Sequence, residues 1–395
     1  MTSAPKTILI ANIRLIGDVI LTTPLIGLLN EAYPQAAIDL LVNRGTGEFL
    51  EEDPRVRTVI YHDGDETGDS VRNKKGYLRM IFRRYDLAIN MNASDRGNFA
   101  ALAAGKKCRV GFYESGNFIK SIWQRLFLTH PIAFPDNIPV DRYCQIVADA
   151  LTVPNEHLAV KVYWDGADEA KVTRLLEARG VVRPFFVVHP FARWIYKYWN
   201  FKKFAAVSDM IYERYGLCPV WTSSPLEQEK ARLVEAAGKC RYKPMIIGGE
   251  LNLNQMTCLL SRANFYIGLD TAISHLAANT GIPMVALYGP TFTSRWFPWY
   301  NNGAPNQECP QSRSILRRGN IVVLQKDWGC VPCGKAGCDD SGSLPSPCIQ
   351  DFSVEEVSLA VDICLRDTNS TFLKSKNKID MGLKYFGSPV AAANG

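Results

Sequence analysis

The feature that most restricts the fold is an alternation repeated along the chain: short continuous apolar runs separated by segments of helical periodicity. "KTILIANI" opens the series, and "DVILTTPLIGLLNEAYP" follows it with Val19, Leu21, Leu25, Leu28 and Leu29 at helical spacing. "AIDLLV", "VRTVIYHD" and "DLAINMN" continue as strands, with "TGEFLEED" and the basic "YLRMIFRRY" read as helical stretches between them. Strands that alternate with helices need crossover connections, so the sheet they form is parallel. The pattern weakens towards Val160, and the polar helical segment "DGADEAKVTRLLEARGVVRP" separates it from a second series. That series runs through "FFVVHP", "FKKFAAVSDMIYERYG", "CPVWTSS", "LEQEKARLVEAAG", "NQMTCLLSRA", "NFYIGLD" and "PMVALYG". The expected architecture is α/β, with two Rossmann-like doubly wound domains facing a cleft, at residues 1–170 and 171–360, and an extension at 361–395 whose end is flexible.

Ligands of such sheets bind outside the carboxyl ends of the strands. There the run "GLDTAISHLAANTGIPMVALYGPT", residues 268–291, places Asp270, Thr271 and His275 between two apolar runs. Ile273, Leu276 and Ala277 share one helical face, and Gly281 with Pro283 ends the helix. Asp270 is then the N-cap or adjoins it, and Thr271 and His275 lie one turn apart on the same side. Free N–H groups and a positive dipole end make that helix start a place for a diphosphate. Capping by Asp270 and burial of His275 in a core is the plainer alternative for the same three residues.

The run that begins at Gly268 resembles the signature of the ADP-heptose:lipopolysaccharide heptosyltransferases, inverting enzymes of glycosyltransferase family 9 with the GT-B arrangement. The resemblance extends from Ile8 to about Val357. "ILIANIRLIGDVILTTPLIGLLNEAYPQAAIDLLV", with its Gly17-Asp18 pair, is similar to the family's opening strand, turn and helix. "HPFARWIYKYWNFKKFAAV", containing Lys197 and Trp199, resembles its phosphate-side segment. "TSSPLEQEKARLV" is similar to a Gly-Gly-Pro-x-Glu stretch near the nucleoside, with Ser223 and Ser224 in place of the glycines. "FARWIYKYW" and "CVPCGKAGC" bring the chain nearest the type III enzymes.

The resemblance implies transfer of heptose from ADP-heptose to the lipopolysaccharide inner core, with no cofactor required for catalysis. Such a reaction needs a base for the acceptor hydroxyl and a stabilised leaving diphosphate. Asp18 is the expected base, although its position also suits an N-cap, and Gly17 beside it lets backbone approach a sugar closely. Lys197 and the helix start at Asp270, Thr271 and Ala272 are expected to hold the diphosphate without a metal, with His275 adding a donor. Gly268 belongs to the same donor run. Glu227, ahead of Glu229, is the candidate for the ribose hydroxyls, and Leu253 or Met256 for the adenine. Arg193 and Trp194 lie beside the phosphate segment.

An acceptor of this kind is anionic and membrane-embedded. The chain has 45 Lys and Arg against 39 Asp and Glu, a mild excess that suits an anionic substrate or an acidic bilayer. Arg14, Gly17, Lys74, Arg79 and Arg83 are the expected acceptor contacts, in a stretch from Arg72 to Arg84 without an acid. "FIKSIWQRLF" adds an apolar face with two bases and predicts peripheral contact with the inner membrane. No apolar run reaches the ~18 residues of a membrane-spanning helix. "TILIANI" is interrupted at once by Arg14 and Asp18, unlike a signal peptide, so the cytoplasm, at the inner face of that membrane, is the expected location.

Cys330, Cys333, Cys338 and Cys348 are spaced in a way compatible with a structural zinc, with free thiols or disulfides as alternatives. A nicotinamide dehydrogenase is disfavoured because "NIRLIGD" lacks the G-x-G-x-x-G turn. Nucleic acid is not an expected partner, since the cysteines lie far from the basic stretches in sequence.

Overall fold

The computed structural model describes residues 4–62, 70–116, 118–134, 139, 141–155, 158–181, 184–301 and 314–366. The first series builds six strands: β1 (Thr7–Asn12), β2 (Ala37–Asn43), β3 (Val56–His62), β4 (Tyr85–Asn90), β5 (Gly105–Tyr113) and β6 (His130–Ala133). All neighbouring pairs are parallel, in the order β3-β2-β1-β4-β5-β6. This is the doubly wound order of a dinucleotide-binding sheet, with its switch point between β1 and β4. Helix Thr23–Ala32 covers one face, burying Leu25, Ile26, Leu28 and Leu29. On the other, helices Ser70–Ile81, Asp95–Ala104 and Phe118–Phe127 lie side by side.

The second series repeats the plan with β7 (Phe185–His189), β8 (Cys218–Ser223), β9 (Met245–Gly248), β10 (Phe265–Leu269), β11 (Met284–Tyr288), β12 (Ile315–Arg318) and β13 (Ile321–Gln325). Their order, β12-β13-β11-β10-β7-β8-β9, is the same doubly wound order closed by an antiparallel hairpin at one edge. The hairpin turns on Gly319-Asn320; its edge strand "ILRR" is too polar to stand out, whereas β13, "IVVLQ", is a buried apolar run.

Local chemistry explains the element ends near the cleft. Helix Ala272–Thr280 stops at Gly281, which takes the left-handed conformation (φ 74°) open to glycine without strain. Helix Leu253–Arg262 starts in a capping box between Asn252 and Gln255. Its Asn254 donates from Nδ2 to the carbonyls of Phe49 (2.9 Å) and Tyr163 (2.7 Å), tying the second half to the first. The stretch expected as a helix at "TGEFLEED" is a 3-10 helix, Glu48–Glu52. The final helix, Val354–Arg366, runs through position 361 and packs against β11 and β13, burying Val357, Val361 and Cys364. The rest of the expected extension, 367–395, lies outside the described residues.

Candidate active site

The carboxyl ends of β1, β2, β7, β8, β9 and β10 open into one cavity of about 740 Å³ between the halves, within the range of ligand sites. After β10 comes Asp270, then Thr271, which is the helix N-cap in extended geometry (φ −152°, ψ 163°) and makes no side-chain cap bond. Asp270 therefore adjoins the cap instead of forming it. The uncapped start of the helix, at Thr271, Ala272 and Ile273, lines the cavity, which leaves its N–H groups for an anion.

The Asp270 carboxylate is engaged elsewhere: its Oδ2 lies 2.5 Å from the Nζ of Lys197, at the end of the 3-10 turn Ile195–Lys197. Both side chains are largely buried. Burial works against the charge on Lys197, but the Asp270 carboxylate more than restores it, and the lysine pKa ends above its ordinary value. Lys197 thus stays cationic, with two further N–H groups for a ligand.

His275 sits one turn into the same helix, buried, with Nδ1 meeting no partner among the described residues. Burial lowers its pKa to about 4, so the ring is neutral. At the end of β7, His189 is also buried and neutral, its pKa lowered to about 3 by burial, with Nδ1 2.9 Å from Thr222 Oγ1. Gly17 brings the first half close to His275: a Cβ at Gly17 would lie 3.7 Å from the imidazole Cδ2.

Asp18 occupies the junction. It lines the main cavity and also a second one, of about 300 Å³, formed by Asn12, Thr22, Asn92, Ser94, Glu114, Phe134, Tyr143 and Arg295 among others. The N-cap of its short helix, Ile16–Ile20, is Leu15, so Asp18 stands in the first turn, where its carboxylate accepts the Leu15 N–H. Its carbonyl accepts from Asn12 Nδ2 (3.0 Å) and Thr22 Oγ1 (2.9 Å), which anchors the turn to the end of β1. Burial raises the Asp18 pKa; Arg14, whose Nε lies 3.7 Å away, and Arg295 oppose the rise. The result is a carboxylate more basic than usual, held between two cavities.

Several expected residues fall elsewhere. Glu227 is solvated, pairs with Lys230 at 2.8 Å and does not line the cavity; Glu229 does, buried and accepting the Ser224 N–H at 3.0 Å. Two residues along a helix reverse the direction of a side chain, which separates these two glutamates. Gly268 lies beneath the site: a Cβ there would come within 2.1 Å of the Tyr266 hydroxyl, which meets Ser274 Oγ at 3.0 Å. Gly268 itself does not line the cavity. Arg79 and Arg83 line neither cavity: Arg79 is exposed on a helix that turns Tyr77, Leu78 and Ile81 to the core, and Arg83 is exposed in the turn that follows it. The Lys74 side chain lies outside the described residues. Arg14 and Gly17 do line the cavity, as do Arg193, Trp194, Leu253 and Met256.

No three of the four cysteine sulfurs lie within 4.8 Å of one another. Tetrahedral thiolates lie about 3.8 Å apart. Among the described residues only Glu52, Asp165 and Asp168 bring three ligating atoms within 4.8 Å of one another. Cys330, Cys333 and Cys338 are exposed free thiols and Cys348 is buried.

Arg295 and His189 are among the site residues the sequence reading passed over, as are Asn12, Asn92, Ser94 and Tyr143 of the smaller cavity. His189 carries the same signal as Asp270, a polar residue ending an apolar run. Arg295 gives no local signal, because it comes from the second half and meets Tyr143 and Asp18 of the first only through the packing of the two.

Such a layout, two doubly wound halves with a reactive carboxylate where their pockets meet, is that of a GT-B glycosyltransferase. The model of glycosyltransferase family 9 (heptosyltransferase) matches residues 78–314, and the chain belongs to that family. It is 30% identical to lipopolysaccharide heptosyltransferase 3 of Escherichia coli strain K12 over 291 residues, 72% of this chain and 83% of the relative. The fold is shared with a family 9 glycosyltransferase from Veillonella parvula (TM-score 0.69, 20% identity, 92% of this chain and 97% of that one). It is shared also with the ADP-heptose heptosyltransferase II of E. coli (TM-score 0.66, 18% identity, 92% and 99%). The chain is a glycosyltransferase.

Proposed function

We propose that the enzyme transfers heptose from ADP-heptose to a sugar hydroxyl of the lipopolysaccharide inner core at the cytoplasmic face of the inner membrane, a reading supported by its similarity to relatives named lipopolysaccharide heptosyltransferase 3. The observation that carries the mechanism is the position of Asp18 at the wall between the two cavities. The donor diphosphate lies on the start of helix Ala272–Thr280, with Lys197 as a further partner and His275, whose unpartnered Nδ1 is buried, lining the same cavity. Glu229, which accepts the Ser224 N–H and lines the same cavity as Met256, serves the nucleoside. The acceptor sugar enters the smaller cavity, among the amides of Asn12 and Asn92, Ser94, Tyr143 and Arg295. Asp18, ionised and basic through burial, takes the proton of the attacking hydroxyl. That oxygen forms a bond to the anomeric carbon as the bond to the diphosphate breaks on the opposite face, so configuration inverts. ADP leaves with the electron pair, its charge met by Lys197 and the helix N–H groups.

Mass spectrometry of purified protein with ADP-heptose and truncated core acceptors carrying one or two heptoses tests this. Gain of one heptose on the two-heptose acceptor, absent with Asp18→Asn, is the expected result. No gain on either acceptor with ADP still bound would sink the assignment of donor sugar or acceptor and leave the phosphate site in place.

A further inference from the structure

We infer that the three helices on the outer face of the first sheet form a docking surface for an anionic lipid bilayer, building on the reading of the acceptor as a membrane glycolipid. Helix Phe118–Phe127 leaves Phe118, Ile119, Ile122 and Leu126 bare, positions that fall within about 100° of one another around a helix. Beside it helix Asp95–Ala104 exposes Phe99, whose ring stacks on Trp123 at 5.1 Å, and beyond that Met80 and Phe82 stand out from the end of helix Ser70–Ile81. These seven side chains are each between 45% and 79% exposed. Scattered apolar residues are ordinary on a surface, but seven large ones on three adjoining helices are not.

Charge decides what covers them. Arg79, Arg96 and Arg125 are exposed on the same helices, Arg83 and Arg84 in the turn after helix Ser70–Ile81, and Lys106 and Lys107 at the start of β5. Asp95 is the one acid within the three helices, and it is occupied by Gln124 Nε2 at 2.9 Å. An apolar face ringed by bases fits lipid tails beneath acidic headgroups, whereas a second copy of this chain would set the bases against each other.

The same surface is wired to the acceptor cavity. Gln124, on the inner side of helix Phe118–Phe127, accepts the Glu114 N–H (3.0 Å) and donates to the Ala93 carbonyl (3.3 Å), and Glu114 and Ala93 both line that cavity. Docking the helix on a bilayer would therefore hold the cavity beside a lipid-anchored acceptor.

Vesicle flotation, without donor or acceptor, separates this idea from the assignment of the reaction. The protein should bind phosphatidylglycerol-containing vesicles and bind phosphatidylcholine vesicles far less. The triple variant Phe118→Ser, Ile119→Ser, Leu126→Ser and the pair Arg96→Glu, Arg125→Glu should each weaken binding about tenfold or more. The triple variant, altered only at exposed positions, should keep its activity on a water-soluble acceptor fragment. Equal binding by wild type and variants, or no binding by wild type, overturns the proposal. So does a concentration-dependent dimer, seen by sedimentation velocity, that the triple variant abolishes while vesicle binding is absent. Vesicle binding by a protein that transfers no sugar would keep the surface and sink the assigned reaction.

Discussion

Lys197 and Asp270 meet at 2.5 Å across the floor of the cleft, one from a turn after β7 and the other from the end of β10. The pair keeps a buried ammonium charged at the proposed diphosphate site. Removing either partner strands the other, which typically costs about 3–5 kcal/mol in a buried pair, while removing both costs less. Lys197→Met and Asp270→Asn should each lower the melting temperature, and the double variant should melt above the sum of the two losses. Because the Lys197 pKa is raised, the pair's stabilisation is complete below the ordinary lysine range and is lost as pH climbs through the raised value. Additive losses in thermal melts would refute the coupling.

Asp18→Asn should reduce turnover by about 10²- to 10⁴-fold, the usual contribution of a general base, with ADP affinity unchanged by calorimetry. Activity of the wild type should fall on acidification with an apparent pKa above the ordinary 3.8, since protonated Asp18 cannot accept a proton. The same raised pKa means that the ionised form is destabilising: stability is greatest with Asp18 protonated and declines as pH rises through its folded value. At neutral pH the asparagine variant should therefore melt higher than wild type. A lower melting point at neutral pH would contradict the burial argument.

The two neutral histidines give a pH signature of the opposite sense. Their pKa values, about 3 for His189 and about 4 for His275, lie below the ordinary 6.5 because burial disfavours the imidazolium. Stability they confer is present above pH 6.5 and declines as pH falls towards those values, by about 1.4 kcal/mol per pH unit for each ring. Nuclear magnetic resonance should find His189 and His275 without a titration between pH 5 and 8. Ordinary titration of both would exclude the buried placements.

Glu229→Ala should raise the donor KM by about tenfold or more, the scale of a lost charged hydrogen bond of ~1.5–3 kcal/mol, whereas Glu227→Ala should leave it unchanged. Steady-state kinetics of the two variants side by side decides this; equal effects would return Glu227 to the site.

Gly268→Ala should destabilise by roughly 1–3 kcal/mol, as overpacking does, because its Cβ would press on the Tyr266 hydroxyl. Urea denaturation would show it, and near-normal donor KM in the folded fraction would distinguish a packing role from donor contact.

Two series of buried strands, the helix that begins after Asp270 and the turn that carries Asp18 are all legible in the chain itself. Strand and helix periods, caps and glycine C-termini are set within a few residues, and local sequence encodes them directly. The edge strand β12 escaped because a strand with one wet face loses its apolar run, whereas β13 inside the sheet keeps one, "IVVLQ". Glu229 and Glu227 were distinguishable only once the helix start was fixed, since a shift of one residue turns a side chain by a quarter circle or more. What tertiary structure alone decided is the meeting of distant groups: Arg295 from the second half entering a cavity of the first, Lys197 closing on Asp270, and Asp18 sealed between two pockets. Those contacts, and the pKa values that burial imposes on them, depend on how the two sheets face each other, and no local pattern carries that information.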